Sequence, residues 1–178
     1  MQFFTGGDQK KLCELLKGTK LLRVIKSKYR QDLNFIVAGT SAGAMAIPTL
    51  MISGGAVEAA LLKGDLDLGK GLGFINNIII DTHFIKRGRF SRLAHAVTLR
   101  PGYIGFGIGE DTALIISEGN KIECKGSGMV IIIDGKEIKA TNISRIDTYT
   151  PIMVENLKID IMADGSKYFL KERKFIIG

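Results

Sequence analysis

Hydrophobic and polar positions change their rhythm near the middle of the chain. Residues 2–5 read as the end of a short strand, and Gly6-Gly7-Asp8 as a turn opening a helix that the Asp8 side chain can cap. Leu12, Leu15 and Leu16 give that helix an apolar face, and a second helix is predicted over residues 21–29, where Leu22, Ile25 and Tyr29 recur at helical spacing. Residues 34–38, Asn-Phe-Ile-Val-Ala, are short, apolar and partly β-branched, which fits a strand buried on both faces. Gly39-Thr40-Ser41-Ala42-Gly43 follows. Residues 44–52 then read as a helix, bent where Pro48 removes a backbone donor. Residues 71–74 turn the chain into Ile78-Ile79-Ile80, another buried strand. A further helix is predicted over 84–97, with Phe84, Ile85, Leu93 and Val97 on one side.

From Gly105 onward the pattern becomes strands and turns. Strands are predicted over 112–117, 121–125, 129–133 and 137–140, separated by Glu118-Gly119-Asn120, Gly126-Ser127-Gly128 and Asp134-Gly135. Residues 156–162 and 167–170 flank Ala163-Asp164-Gly165 as one more hairpin. The fold class expected is α/β: a mostly parallel sheet flanked by helices, followed by a strand-rich C-terminal half, in a single domain over residues 1–178.

Composition narrows the function classes. Hydrophobic residues make up 46% of the 178 and charged residues 24%, the proportions of a globular domain. The formal charge of +7 is spread along the chain, and only residues 167–174 interleave basic and aromatic side chains. That favours a solvated basic surface over a nucleic-acid partner. No apolar run reaches the ~18–20 residues of a membrane span, so no membrane is expected. Cys13 and Cys124 lack metal-ligand spacing and read as free thiols of a reducing compartment, with no metal or cofactor. No signal peptide is visible after Met1, which makes the cytoplasm the expected location.

The densest chemical signal is Gly39-x-Ser41-x-Gly43 between a buried strand and a helix. Such an elbow exposes a nucleophile on a strained turn, and the helix N-terminus aims backbone N–H groups at a developing oxyanion. A serine nucleophile needs a base, and the chain has two histidines. His95 lies among Leu93, Ala94 and Val97 on a helix and reads as structural. His83 follows Ile78–Thr82 at the carboxyl end of a strand, the edge where open α/β sheets place their sites, and is the preferred base. For the carboxylate that orients the base, Glu58 and Asp81 both remain open. Asp81 shares a strand face with His83.

Four blocks together resemble a known family: Phe4-Thr5-Gly6-Gly7-Asp8-Gln9; Gly39 to Ala44; Asp81-Thr82-His83-Phe84 with Arg87, Gly88, Arg89 and Arg92; and Gly107 to Ala113. The chain is similar along essentially its whole length to the cyanophycinases, serine peptidases grouped with dipeptidase E. The resemblance implies hydrolysis of cyanophycin, a polyaspartate bearing arginine on its side-chain carboxyls, to β-aspartyl-arginine through a Ser41/His83 acyl-enzyme. It also implies Glu58 as triad acid and the N–H groups of Ala42 and Gly7 as oxyanion hole. Gln9, Asp81, Arg87, Arg89, Arg92 and Glu110 would line the substrate pocket, the arginines suiting aspartyl carboxylates, Asp81 and Glu110 a substrate guanidinium. Within hydrolases the alternative is a dipeptidase E-like or isoaspartyl dipeptidase. The alternative outside enzymes is an inactive remnant. Relative to the family, the N-terminal third is missing, and Thr82 stands where the family has Gln. A homodimer is the expected assembly.

Overall fold

The computed structural model describes residues 1–55 and 61–178. Strand β1 (Gln2–Phe4) leads into helices α1 (Gln9–Leu16) and α2 (Lys20–Gln31), after which β2 (Val37–Gly39) returns parallel to β1. The Asp8 carboxylate starts α1 by accepting from the N–H groups of Lys10 and Lys11 at 2.8 and 3.1 Å, and Thr19 Oγ1 starts α2 by accepting from Leu22 N–H. Leu22 and Ile25 are buried, as their spacing predicts, whereas α1 buries Cys13 and leaves Leu15 exposed.

Helix α3 (Ala42–Ala46) is shorter than expected, and the chain enters strand β3 (Leu50–Gly55) where the sequence pattern predicts a helix through residue 52. Pro48 has no N–H to continue the helix. The carbonyls of Ala46, Ile47 and Pro48 accept instead from the N–H groups of Leu72, Phe74 and Gly73. β3 pairs antiparallel with β4 (Leu66–Lys70). Strand β5 (Ile78–Thr82) is wholly buried, and α4 (Phe90–Leu99) begins later than the predicted residue 84.

Beyond α4 come β6 (Ile104–Ile108), β7 (Thr112–Ser117), β8 (Lys121–Gly126), β9 (Val130–Asp134), β10 (Ala140–Thr141), β11 (Val154–Glu155), β12 (Lys158–Met162), β13 (Lys167–Phe169) and β14 (Lys174–Ile176). Two four-stranded sheets result, ordered β12-β9-β6-β5 and β14-β13-β8-β7. Only β1–β2 and β5–β6 are parallel ladders among the described residues. The expectation of a mostly parallel sheet is therefore corrected to mixed and antiparallel sheets. A parallel pair needs a crossover of a dozen or more residues, and turns as short as those after β7 leave no room for one. The hairpin expected around Ala163-Asp164-Gly165 does not form either. β12 pairs with β9 and β13 with β8, so this turn carries the chain from one sheet to the other.

The core lies on both faces of the sheet that carries β5. On one face Ile80, Ile104, Phe106 and Ile132 pack against Ile122, Cys124 and Tyr168 of the second sheet, with the rings of Phe106 and Tyr168 edge-on at 5.9 Å. On the other, Ile79 and Ile133 lie under Leu93, Ala94 and Val97 of α4. Burial pushes the Cys13 and Cys124 thiols up, away from the reactive thiolate.

Candidate active site

Ser41 stands between β2 and α3 with φ 51° and ψ −124°, a conformation rare for a residue with a side chain. Such backbone costs about 1–3 kcal/mol and persists only where the surroundings hold it. The two glycines of the elbow supply the room. A Cβ on Gly39 would lie 2.7 Å from the Gly43 carbonyl carbon, and one on Gly43 would lie 2.1 Å from the Phe4 carbonyl oxygen. β1, β2 and α3 can approach this closely only with bare backbone at both positions.

His83 leaves β5 with φ 52°, also on the positive side. Its Nε2 lies 3.1 Å from Ser41 Oγ, and its Nδ1 lies 3.1 Å from Glu110 Oε1. Parallel register explains the meeting with Glu110: Thr82 of β5 lies opposite Ile108 of β6, so residues just past both strand ends are neighbours. With Nδ1–H donating to the carboxylate, Nε2 is free to accept the serine proton. The hydrogen bond from His83 holds the Glu110 carboxyl below the usual carboxylate range. Side-chain exposures of 34% for His83 and 39% for Glu110 leave the pair reachable by a substrate. A cavity of about 280 Å³ opens there, lined by Ser41, Thr82, His83, Glu110 and the β6–β7 connection.

The other expected site residues are distributed unevenly. Glu58 lies outside the described residues. Ala42 is the first residue of α3, so its N–H has no intrahelical acceptor. The Gly6-Gly7 turn is beside the nucleophile, since a Cβ on Gly6 would lie 3.4 Å from Ser41 Cβ. Gln9 donates from Nε2 to the Ile52 carbonyl, and Arg87 is exposed. Neither lines the cavity beside Ser41, nor do Asp81, Arg89 and Arg92.

Asp81 is fully buried and its carboxylate is taken up within the protein. Arg92 reaches it through Nε at 2.6 Å and Nη2 at 2.5 Å, Arg89 through Nη1 at 3.2 Å, and the Thr82 N–H at 2.8 Å. Arg89 Nη1 also donates to the Thr82 carbonyl at 2.7 Å. This network ties α4 to the residue before His83 and fixes the direction in which the imidazole leaves the strand. The resemblance assigns Asp81 and Glu110 to a substrate guanidinium. In the structure Asp81 is engaged by two arginines and Glu110 by His83. Two guanidinium groups against one carboxylate leave the cluster positive. Burial and the neighbouring Arg92 lower the affinity of Arg89 for its proton. Thr82 Oγ1, which sequence reasoning noted only as a departure from the family, is buried without a hydrogen-bond partner among the described residues. His95 is buried on α4.

Residues 2–124 match the model of peptidase family S51. The chain belongs to that family. Its relatives include the cyanophycinase of Trichormus variabilis, 36% identical over 171 residues, 96% of this chain and 57% of that protein. The cyanophycinase of Geminocystis herdmanii is 35% identical over 176 residues, 99% of this chain and 64% of that protein. That of Thermosynechococcus vestitus is 34% identical over 169 residues, 95% of this chain and 52% of that protein. The chain thus spans between about half and two thirds of the length of the curated relatives it matches.

Proposed function

We propose that this chain carries the catalytic centre of a serine-type peptidase that cleaves the polyaspartate backbone of cyanophycin-like polymers and releases β-aspartyl-arginine. The observation that carries the proposal is the unbroken relay from Ser41 Oγ through both nitrogens of His83 to Glu110, each step 3.1 Å long. Ser41 attacks the scissile carbonyl carbon while His83 Nε2 takes the hydroxyl proton. Glu110 holds the Nδ1–H tautomer and stabilises the imidazolium that forms. The oxyanion faces the N–H groups of Ala42 and Gly7. His83 returns its proton to the leaving amine, and water then releases the acyl group by the same path in reverse. The names of the relatives support the substrate class. So does Arg87, exposed on the turn that follows His83, where a substrate carboxylate can reach it.

The experiment compares insoluble cyanophycin with soluble α- and β-aspartyl dipeptides, following released amine, alongside labelling with a fluorophosphonate. Labelling confined to Ser41, with release of β-aspartyl-arginine from the polymer, is the expected result. Turnover of dipeptides alone would move the substrate to the dipeptidases, and labelling at any other serine would remove the proposal.

A further inference from the structure

Two strands that lead to the site each have one unpaired edge and line one cavity. β2 is hydrogen-bonded to β1 alone, and β5 to β6 alone, among the described residues. Both strands end at the site: Ser41 follows β2, His83 follows β5, and their side chains meet. β2 and β5 therefore run in the same direction, as in a continuous parallel sheet. Yet no ladder joins them, and one cavity of about 660 Å³ is lined both by Val37 of β2 and by Ile80 of β5, together with Ile47, Phe74, Ile75 and Ile116. Leu33 and Ile36, which also line it, are 102% and 58% exposed, an unusual condition for aliphatic side chains beside a parallel strand.

Unpaired backbone beside an apolar cavity is a template for another strand. Neighbouring strands lie ~4.7–4.9 Å apart, so a gap that admits one strand brings both edges into register with it. The curated relatives supply the occupant by length. They match this chain over 95–99% of its residues yet are considerably longer, so part of the family's fold lies outside these residues. We propose that the slot between β2 and β5 receives one strand from that remaining part of the family, running parallel to both and joining β1–β2 to β5–β6 in one sheet. A strand in this place is buried on both faces, which calls for a short run of β-branched and aliphatic residues, about 4–8 long. Its carboxyl end emerges beside Ser41 and His83, so the segment that follows it becomes a wall of the substrate pocket. The inference rests on family membership and strand topology, not on the hydrolase reading.

The test uses the 178-residue protein and, as a separate polypeptide, the portion of the Trichormus variabilis cyanophycinase outside the matched stretch. Amide hydrogen exchange is followed at those N–H groups of residues 36–39 and 78–82 that do not bond to β1 or β6. The expected result is fast exchange in the chain alone and at least tenfold slowing at both strands when the second polypeptide binds. Ile36→Lys places a charge in the slot at an exposed position. It should leave the melting temperature of the chain alone unchanged while weakening binding at least tenfold. Leu15→Lys, more exposed still but on α1, should bind normally. The proposal is overturned if the two polypeptides do not associate, or if both edges are already protected in the chain alone. It is equally overturned if Leu15→Lys blocks binding while Ile36→Lys does not. None of these readouts requires turnover, so an inactive complex with protected edges would sink the hydrolase reading and leave this one standing.

Discussion

Two carboxylates at neighbouring strand ends are treated in opposite ways. Asp81, near the end of β5, is fully buried and receives hydrogen bonds from Arg89, Arg92 and the Thr82 N–H. Glu110, two residues past β6, is 39% exposed and its carboxylate bonds to His83 alone among the described side chains. Both are acidic residues near His83, and sequence position alone does not separate them. The number of donors and the degree of burial do. A carboxylate saturated by two guanidinium groups is part of the scaffold, because any new partner must displace existing bonds. A carboxylate with one bond, to the imidazole, is placed to follow the charge on that imidazole during a reaction. The comparison sorts substitutions into those that stop chemistry and those that loosen the fold.

The largest effect should come from the group that both networks serve. Ser41→Ala should lower kcat by roughly 10⁴–10⁶ with the melting temperature little changed, and His83→Ala should cost nearly as much because relay members act as a unit. Steady-state kinetics with circular dichroism checks both. An active Ser41→Ala variant would leave the relay without a function.

Glu110→Gln keeps the size of the side chain and removes its charge. By analogy with other relays whose acid is neutralised, kcat should fall about 10⁴-fold, with no loss of α4 packing. If Glu110 served the substrate guanidinium instead, turnover of a polyaspartate that carries a neutral residue in place of arginine would be spared. Kinetics on the two substrates separates these outcomes.

Asp81→Asn should break the other way. Removing the charge strands buried Arg92 and half-buried Arg89, and loss of one partner from a buried pair costs roughly 3–5 kcal/mol. Urea unfolding should show that loss. Activity at low temperature, where the protein stays folded, should fall far less than in Glu110→Gln. Equal damage to activity in the two variants would erase the distinction between scaffold and relay.

Much of this arrangement is legible in the sequence, and the illegible parts have identifiable causes. The elbow at Ser41 is readable because Gly39 and Gly43 are demanded by close backbone contacts, and the meeting with His83 follows from two strands ending at one edge. Strand β6 escapes sequence reading because Gly105 and Gly107 interrupt its apolar run. The structure explains both: a Cβ at Gly105 would lie 2.9 Å from Leu93 and Val97, and one at Gly107 would lie 2.5 Å from the Phe84 ring. With β6 hidden, its parallel register with β5 is hidden too, and Glu110 could be placed only by resemblance. Sheet order is illegible for a related reason. The turn at 163–166 looks like a hairpin loop locally, and only the packing of Met162 and Tyr168 into one shared core shows that it joins two sheets.

The smallest expected effect tests the Glu110 side of the comparison through pH. The hydrogen bond from His83 lowers the Glu110 pKa in the folded protein below its ordinary value of about 4.3. The folded state therefore holds the proton less tightly than the unfolded chain does. Linkage then fixes the sign: the stability Glu110 contributes is fully present above the ordinary carboxylate pKa and is lost as pH falls through the folded value. Glu110→Gln, which cannot titrate, lacks that contribution at every pH. The difference in melting temperature between the parent and Glu110→Gln should be level from pH 6 down to about pH 5 and shrink toward pH 3. Because the carboxylate is well exposed, salt should reduce the difference throughout. A difference that grew as pH fell would mean that Glu110 is held protonated in the folded protein, and its hydrogen bond would then run to His83 as donor. That reversal would remove Glu110 from the relay and return it to the pool of candidate substrate contacts.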